Sequence, residues 1–129
     1  MFVLFFDVCL RQKWSELVSS KIKLFDIELQ GRANLFRILA HPARLQILQY
    51  LVQTKTCISG DISDMFPLTR TTINQHMKEL KDAGIISGHK EGSKTVYCLD
   101  CSKIGEIRNI LEGFLKEIDL PQNFYCKYN

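Results

Sequence analysis

Proline and glycine are scarce in this chain, 3 and 7 among 129 residues. That excludes the periodic glycine of a collagen-like fibre and the Pro/Gly excess of low-complexity disorder. Histidine is as scarce as proline. The 3 residues stand apart, at His41, His76 and His89, with no second ligand at useful spacing, so no histidine-built metal centre is expected. No apolar run reaches the roughly 20 residues that a membrane-spanning helix needs. The most apolar stretch, Met1 to Phe6, meets Asp7 and then Arg11 and Lys13, and no basic segment precedes it. It reads as an N-terminal extension, irregular or covered by a partner, and not as a signal peptide or membrane anchor. Also missing are a glycine-rich phosphate loop, a Ser/His/Asp order and paired acid/base carboxylates in a recognisable setting. Without them no enzyme and no cofactor is expected.

What is present fits an ordinary soluble domain: 46% hydrophobic and 24% charged residues in 14.9 kDa. A chain of this size buries roughly two-thirds of the surface that its unfolded form exposes. The formal charge of +3 is mildly basic, which suits a nucleic-acid partner without requiring one. Five cysteines, an odd number without a secretory signal, argue against a disulfide framework and for free thiols in a reducing cytoplasm.

Apolar spacing divides the chain into short helices and one hairpin. Between Trp14 and Leu29, residues Leu17, Val18, Ile22, Phe25 and Leu29 recur at three- and four-residue spacing, an amphipathic helix that Gly31 should punctuate. Leu35, Phe36 and Leu39 predict a second helix ending near His41, since the residue before a proline is pushed out of the helical region. Pro42 then opens a third, with Leu45, Leu48, Leu51 and Val52 expected inward and Arg44, Gln46 and Gln49 outward. Ile58, Ile62, Met65 and Phe66 predict a short helix closed by Pro67. A few residues on, Arg70 to Ala83 predicts a longer one, capped by Thr69 and closed by Gly84. That is helix-turn-helix spacing. From Ile85 to Leu99 two β-prone runs flank Glu91-Gly92-Ser93, the signature of a hairpin. Finally Ile104, Ile107, Leu111, Phe114, Leu115 and Ile118 fall on one helical stripe, wider than a short hairpin can cover, so a second subunit is expected to cover it.

The expected architecture is therefore mainly α with a β-hairpin wing: a winged helix-turn-helix dimerised through its terminal helices. Residues 1–30 are assigned to an extension and dimerisation helix, 31–101 to the DNA-binding core, and 102–129 to a C-terminal dimerisation helix and tail. On the Arg70–Ala83 helix, Ile73, Met77 and Leu80 face inward, while Thr71, Gln75 and Lys78 lie opposite, with Asn74 flanking. Across its first two turns the outer face offers hydroxyls, amides and basic groups but almost no acid, the mixture that reads base edges and binds phosphates in a major groove. Candidate DNA-binding residues are Arg70, Thr71, Thr72, Asn74, Gln75, His76 and Lys78 on this helix, with Lys90, Ser93 and Lys94 at the wing. His41 is read as structural, at a helix corner. The partners expected are double-stranded DNA with a palindromic site and a second copy of the chain, with no membrane. The alternative is a winged-helix module that binds protein. That module would need apolar anchors on the same face, and Thr71, Gln75 and Lys78 are poor ones.

Three segments, Leu39-Ala-His-Pro-Ala-Arg-Leu-Gln-Ile-Leu48, Thr72-Ile-Asn-Gln-His-Met-Lys-Glu-Leu-Lys-Asp-Ala-Gly-Ile-Ile86, and the wing with Glu91-Gly92 and Tyr97, resemble the ArsR family of bacterial repressors. The resemblance spans about residues 33–118. It implies a dimeric repressor whose terminal helices form the two-fold interface, whose recognition helices enter successive major grooves, and whose DNA affinity is shifted by a small effector. Members sense thiophilic metals, arsenicals or reactive sulfur species, through a Cys-x-Cys at the first helix of the motif in some of them. Here that stretch reads Cys57-Ile58-Ser59, and a hydroxyl is a poor soft-metal ligand, so no metal site is assigned. The C-terminal helix holds Glu106, Glu112, Glu117 and Asp119 but no His, which argues against the family's other pattern. Cys98 and Cys101 would point to opposite faces of one strand unless the strand ends between them, and Cys98 is read as a core residue. Cys57 is either an inert buried residue or a reactive thiol favoured by a nearby helix N-terminus, with Cys9 or Cys126 as candidate partner.

Overall fold

The computed structural model describes residue 21 and residues 23–128. The Met1–Phe6 extension, Cys9, and the positions Trp14, Leu17, Val18 and Ile22 of the first expected helix lie outside the described residues. The chain divides into two compact units, Met1–Arg37 and Ile38–Asn129. No helix among the described residues is long and apolar enough to cross a membrane.

In the first unit the expected helix through Leu29 does not run on: the backbone turns at residues 23–25 and a new helix, α1, begins at Ile27 and ends at Leu39. Asp26 causes the restart. Its Oδ1 accepts from the Glu28 N–H at 2.9 Å, and its carbonyl accepts from the Gln30 N–H, the caps that a helix start requires. Gly31 does not break α1. The Glu28–Arg32 ion pair at 2.6 Å spans the glycine, whose cost in a helix interior is only about 1 kcal/mol against alanine.

The second unit opens as the sequence predicts. His41 is extended, its Nδ1 accepts from the Ala43 N–H at 3.1 Å, and Pro42 takes the first position of α2 (Pro42–Thr54). The face buried by α2 is rotated from expectation. Ala43, Arg44, Ile47 and Leu51 are buried, whereas Leu45 and Val52 are 47% and 57% exposed. Two apolar stripes one residue apart satisfy the same spacing, and the stripe with Arg44 goes inward because a carboxylate from another helix meets that guanidinium.

Ile58 also departs from expectation. It lies in a two-residue strand, β1 (Ile58–Ser59), and the short helix contracts to a 3-10 turn, Ser63–Met65. Gly60 in the left-handed region (φ 85°) ends the strand, and Asp61 Oδ1 accepts from the Ser63 N–H at 2.9 Å, which sets the later start. Phe66 is extended before Pro67, so the turn cannot lengthen. Helix α3 (Arg70–Asp82) follows, then the hairpin β2 (Ile86–Glu91) and β3 (Lys94–Leu99), turned by Gly92 at φ 63°, and α4 (Cys101–Glu117). The antiparallel sheet has the order β1-β3-β2. Ile47, Leu51, Ile73, Met77, Leu80, Ile85 and Ile86 are almost wholly buried and form the core of this unit.

The described architecture is helical with a hairpin wing, a winged helix-turn-helix. Along α4 only Ile107 is buried; Leu111, Leu115 and Ile118 remain exposed on the expected stripe. Two cysteine expectations are corrected: Cys57 and Cys98 form a disulfide. Cys98 is half-buried, not a core residue. Cys57 stands before a strand and not at a helix N-terminus, so it is neither a free thiol nor an inert buried one, and neither Cys9 nor Cys126 is its partner. Strand β3 ends at Leu99, between Cys98 and the free, exposed Cys101.

Candidate nucleic-acid interface

A recognition surface has to be rigid before it can read anything, and α3 is fixed from both ends and from beneath. Thr69 is extended and its Oγ1 accepts from the Thr72 N–H at 3.3 Å. At the other end Gly84 adopts φ 75° and the Ile85 N–H donates to the Leu80 carbonyl, closing the helix. Between them Ile73, Met77 and Leu80 are 1%, 2% and 0% exposed. Burial of such side chains contributes roughly 1.5–3 kcal/mol each.

Two polar contacts add orientation. Glu79 of α3 pairs with Arg44 of α2, and the His76 ring lies 4.2 Å from that of His41, which caps α2. His76 departs from the expected DNA-binding role: at 8% exposure it packs against His41 at the start of α2 and is not open to a groove. Burial lowers its pKa from the usual histidine value, with the charges of His41 and Arg44 adding to the effect. Sequence reasoning missed both contacts, although the three-residue steps from Ile73 to His76 and from His76 to Glu79 held the signal: His76 lies beside the Ile73/Met77/Leu80 stripe.

The remaining candidates on α3, Arg70, Thr71, Thr72, Asn74, Gln75 and Lys78, are all exposed. Thr72 Oγ1 is hydrogen-bonded to Thr69 Oγ1 at 2.9 Å, so it belongs partly to the cap. Arg70 Nε lies 3.0 Å from Asp61, whose pKa is held below the carboxylate range by the Ser63 backbone and side-chain hydrogen bonds, with Arg70 contributing. Gln75 Nε2 reaches Glu79 at 3.4 Å and Lys78 Nζ pairs with Asp82 at 2.7 Å, each one turn along the helix. These exposed pairs are weak and give way to a better acceptor. Both acids of the helix are thus committed to cations, and its first two turns, with Thr71, Asn74 and Gln75 on the outer face, carry no acidic residue of their own.

The hairpin contributes Lys90, Ser93 and Lys94, all exposed around the Gly92 turn, while His89 pairs with Glu91 at 3.1 Å. Residues β2 and β3 share six register positions, from Ile86 opposite Leu99 to Glu91 opposite Lys94, so the tip is held at the end of a full ladder. Among the described residues no group of three or more His, Cys, Asp or Glu has metal-binding geometry.

Comparison with known proteins agrees with this geometry. A helix-turn-helix domain family profile matches residues 39–89. The transcriptional repressor SdpR of Bacillus subtilis is 29% identical over 86 residues, covering 67% of this chain and 94% of the repressor. An uncharacterised HTH-type transcriptional regulator of Methanocaldococcus jannaschii is 30% identical over 80 residues, 62% of this chain and 90% of that protein. Among solved structures, a possible transcriptional regulator for arsenical resistance superposes with a TM-score of 0.57 at 28% identity, covering 64% of this chain and 83% of that one. HlyU from Vibrio cholerae shares the fold, with a TM-score of 0.53 at 24% identity over 72% of this chain and 98% of its own.

Proposed function

The chain belongs to the ArsR family of helix-turn-helix transcriptional regulators, and from that premise we propose that it acts as a cytoplasmic homodimer on a palindromic DNA site, repressing until a small effector releases it. Proteins of this family bind DNA and are not enzymes. The observation that carries the reading for this chain is the outer face of α3: exposed amides, hydroxyls and cations on a helix whose opposite face is fully buried, beside a hairpin tip carrying Lys90 and Lys94. Thr71, Thr72, Asn74, Gln75 and Lys78 enter the groove; Arg70, Lys90 and Lys94 contact phosphates, with Ser93 beside them at the wing tip.

Two copies are needed because one α3 reads only a half-site. Leu111, Leu115 and Ile118 of α4 are exposed, an apolar stripe that water disfavours and that a two-fold mate would cover isologously. In the first unit Leu24 and Phe25, in the turn before α1, and Leu29 on α1 are exposed as well, a second apolar surface open to a partner. Two-fold symmetry then predicts half-sites about 10 base pairs apart. The test is selection of duplexes from a random pool by the full chain. Enrichment of an inverted repeat supports the reading; a pool that stays random after repeated rounds refutes it.

A further inference from the structure

Cys57 and Cys98 are brought together by the sheet itself. Ile58 stands opposite Tyr97 and Ser59 opposite Val96, which puts Cys57 opposite Cys98. The Gly60 N–H donates to the Thr95 carbonyl at 3.1 Å, making positions 60/95 and 58/97 hydrogen-bonded pairs and 57/98 a non-hydrogen-bonded one. Pairs of that kind hold their Cα atoms about 4.5 Å apart, and here the separation is 4.4 Å, within the range a disulfide spans. The ladder pairs the two positions directly, so after the bond opens the thiols remain near enough to re-form it, which is what reversibility requires.

The bond is also accessible. Cys57 is exposed, and both cysteines line a cavity of about 460 Å³ walled by Leu51, Val52, Lys55 and Ile104, roomy enough for a small molecule. It joins two parts of the interface. Strand β1 leads through Gly60 and Asp61, the ion-pair partner of Arg70, into α3, whereas β3 is half of the wing.

We propose that Cys57–Cys98 is a thiol-exchange site for a low-molecular-weight thiol, and that its redox state sets the DNA affinity of the chain. A thiolate attacks Cys57 Sγ; the bond to Cys98 breaks, a mixed disulfide forms on Cys57, and Cys98 leaves as a thiolate that takes a proton. A second thiol attacks the mixed disulfide and releases Cys57 as a thiol. The protein gains two electrons and two protons while two small thiols become one disulfide; the reverse sequence, starting from that disulfide, restores the bond. The oxidised state fixes the wing against the entry to α3. The reduced state leaves two residues of β1 to do so, and ordering the wing on DNA then costs affinity.

The proposal rests on the DNA-binding reading, so its test has a readout independent of DNA. The full chain is equilibrated in glutathione buffers of stepped potential, and Cys57 and Cys98 are followed by alkylation and mass spectrometry. In parallel, anisotropy is measured on a duplex selected from a random pool. The two cysteines should gain and lose protection together, and the dissociation constant should rise roughly five- to tenfold across the same transition, a modest coupling by usual standards. Cys57→Ser and Cys98→Ser should each stay at the reduced-state affinity at every potential, whereas Cys101→Ser and Cys126→Ser should respond like the parent. Cysteines that are never protected, an affinity flat across the thiol transition, or a response lost in Cys101→Ser each overturn the switch alone. Absence of DNA binding in both redox states overturns the DNA-binding reading, and the switch with it.

Discussion

Replacing Glu79 by Gln removes the carboxylate that meets Arg44 while keeping the size of the side chain. The Arg44 side chain is 10% exposed and that of Glu79 42%. Breaking a fully buried pair by deleting one partner costs about 3–5 kcal/mol, because a desolvated charge loses its compensation. Glu79 is partly wetted, so screening reduces the expected loss to about 1–3 kcal/mol. For a chain of this length that corresponds to a melting temperature lower by roughly 4 °C per kcal/mol. Substitutions at ordinary surface positions stay within about 0.5 kcal/mol, so the two cases are separable by urea or thermal denaturation. Arg44→Met alone should cost a similar amount, and adding Glu79→Gln to it should cost little more, since the pair is already gone. DNA affinity should fall in Glu79→Gln even though a negative charge has left the recognition helix, because the helix is less firmly held. A Glu79→Gln variant as stable as the parent, or single effects that simply add in the double variant, would refute the role given to this pair.

Gln75→Ala should cost about 1–3 kcal/mol on the selected site and relax base preference there, whereas Lys94→Ala should weaken all sequences alike and lower the salt slope by roughly one, both read by anisotropy at several salt concentrations. Leu111→Asp together with Leu115→Asp should give a monomer in sedimentation at micromolar concentration while circular dichroism keeps the helical signal; a dimer that persists removes α4 from the interface. His76 has a depressed pKa in the fold, so the unfolded chain binds the proton more tightly and stability is lost as pH falls below about 6.5. His76→Gln should flatten that part of the pH–stability curve in thermal melts at pH 7.5 and 5.5, and an unchanged slope would place the titration elsewhere.

The elements were legible where one signal dominated. Thr69, Gly84 and the Ile73/Met77/Leu80 stripe define α3 without ambiguity, because cap, stop and period agree. The Gly92 turn between two β-prone runs did the same for the wing. Errors arose where spacing admitted two answers. On α2 the stripes through Leu45 and through Arg44 are one residue apart, and the carboxylate that meets Arg44 comes from α3, 35 positions away. Ile58 is apolar at helical distance from Ile62, yet it pairs with Tyr97 in a strand that local sequence does not announce. The same nonlocal pairing hid the disulfide, since nothing near Cys57 names a partner 41 residues on. The polarity of His76 points to the outer face, while its position beside the buried stripe, next to His41, carries it inward.

The central claim is that two copies of α3, with their wings, read one symmetric DNA site. It is tested most directly by anisotropy titration of the full chain, at fixed salt, against a selected inverted repeat and the same duplex with one half-site scrambled. The account predicts two protomers bound per intact duplex, about a thousandfold or more tighter than a fully scrambled control, with most of that preference lost when one half-site is destroyed. One protomer per duplex, or equal affinity for intact and half-scrambled DNA, would contradict it.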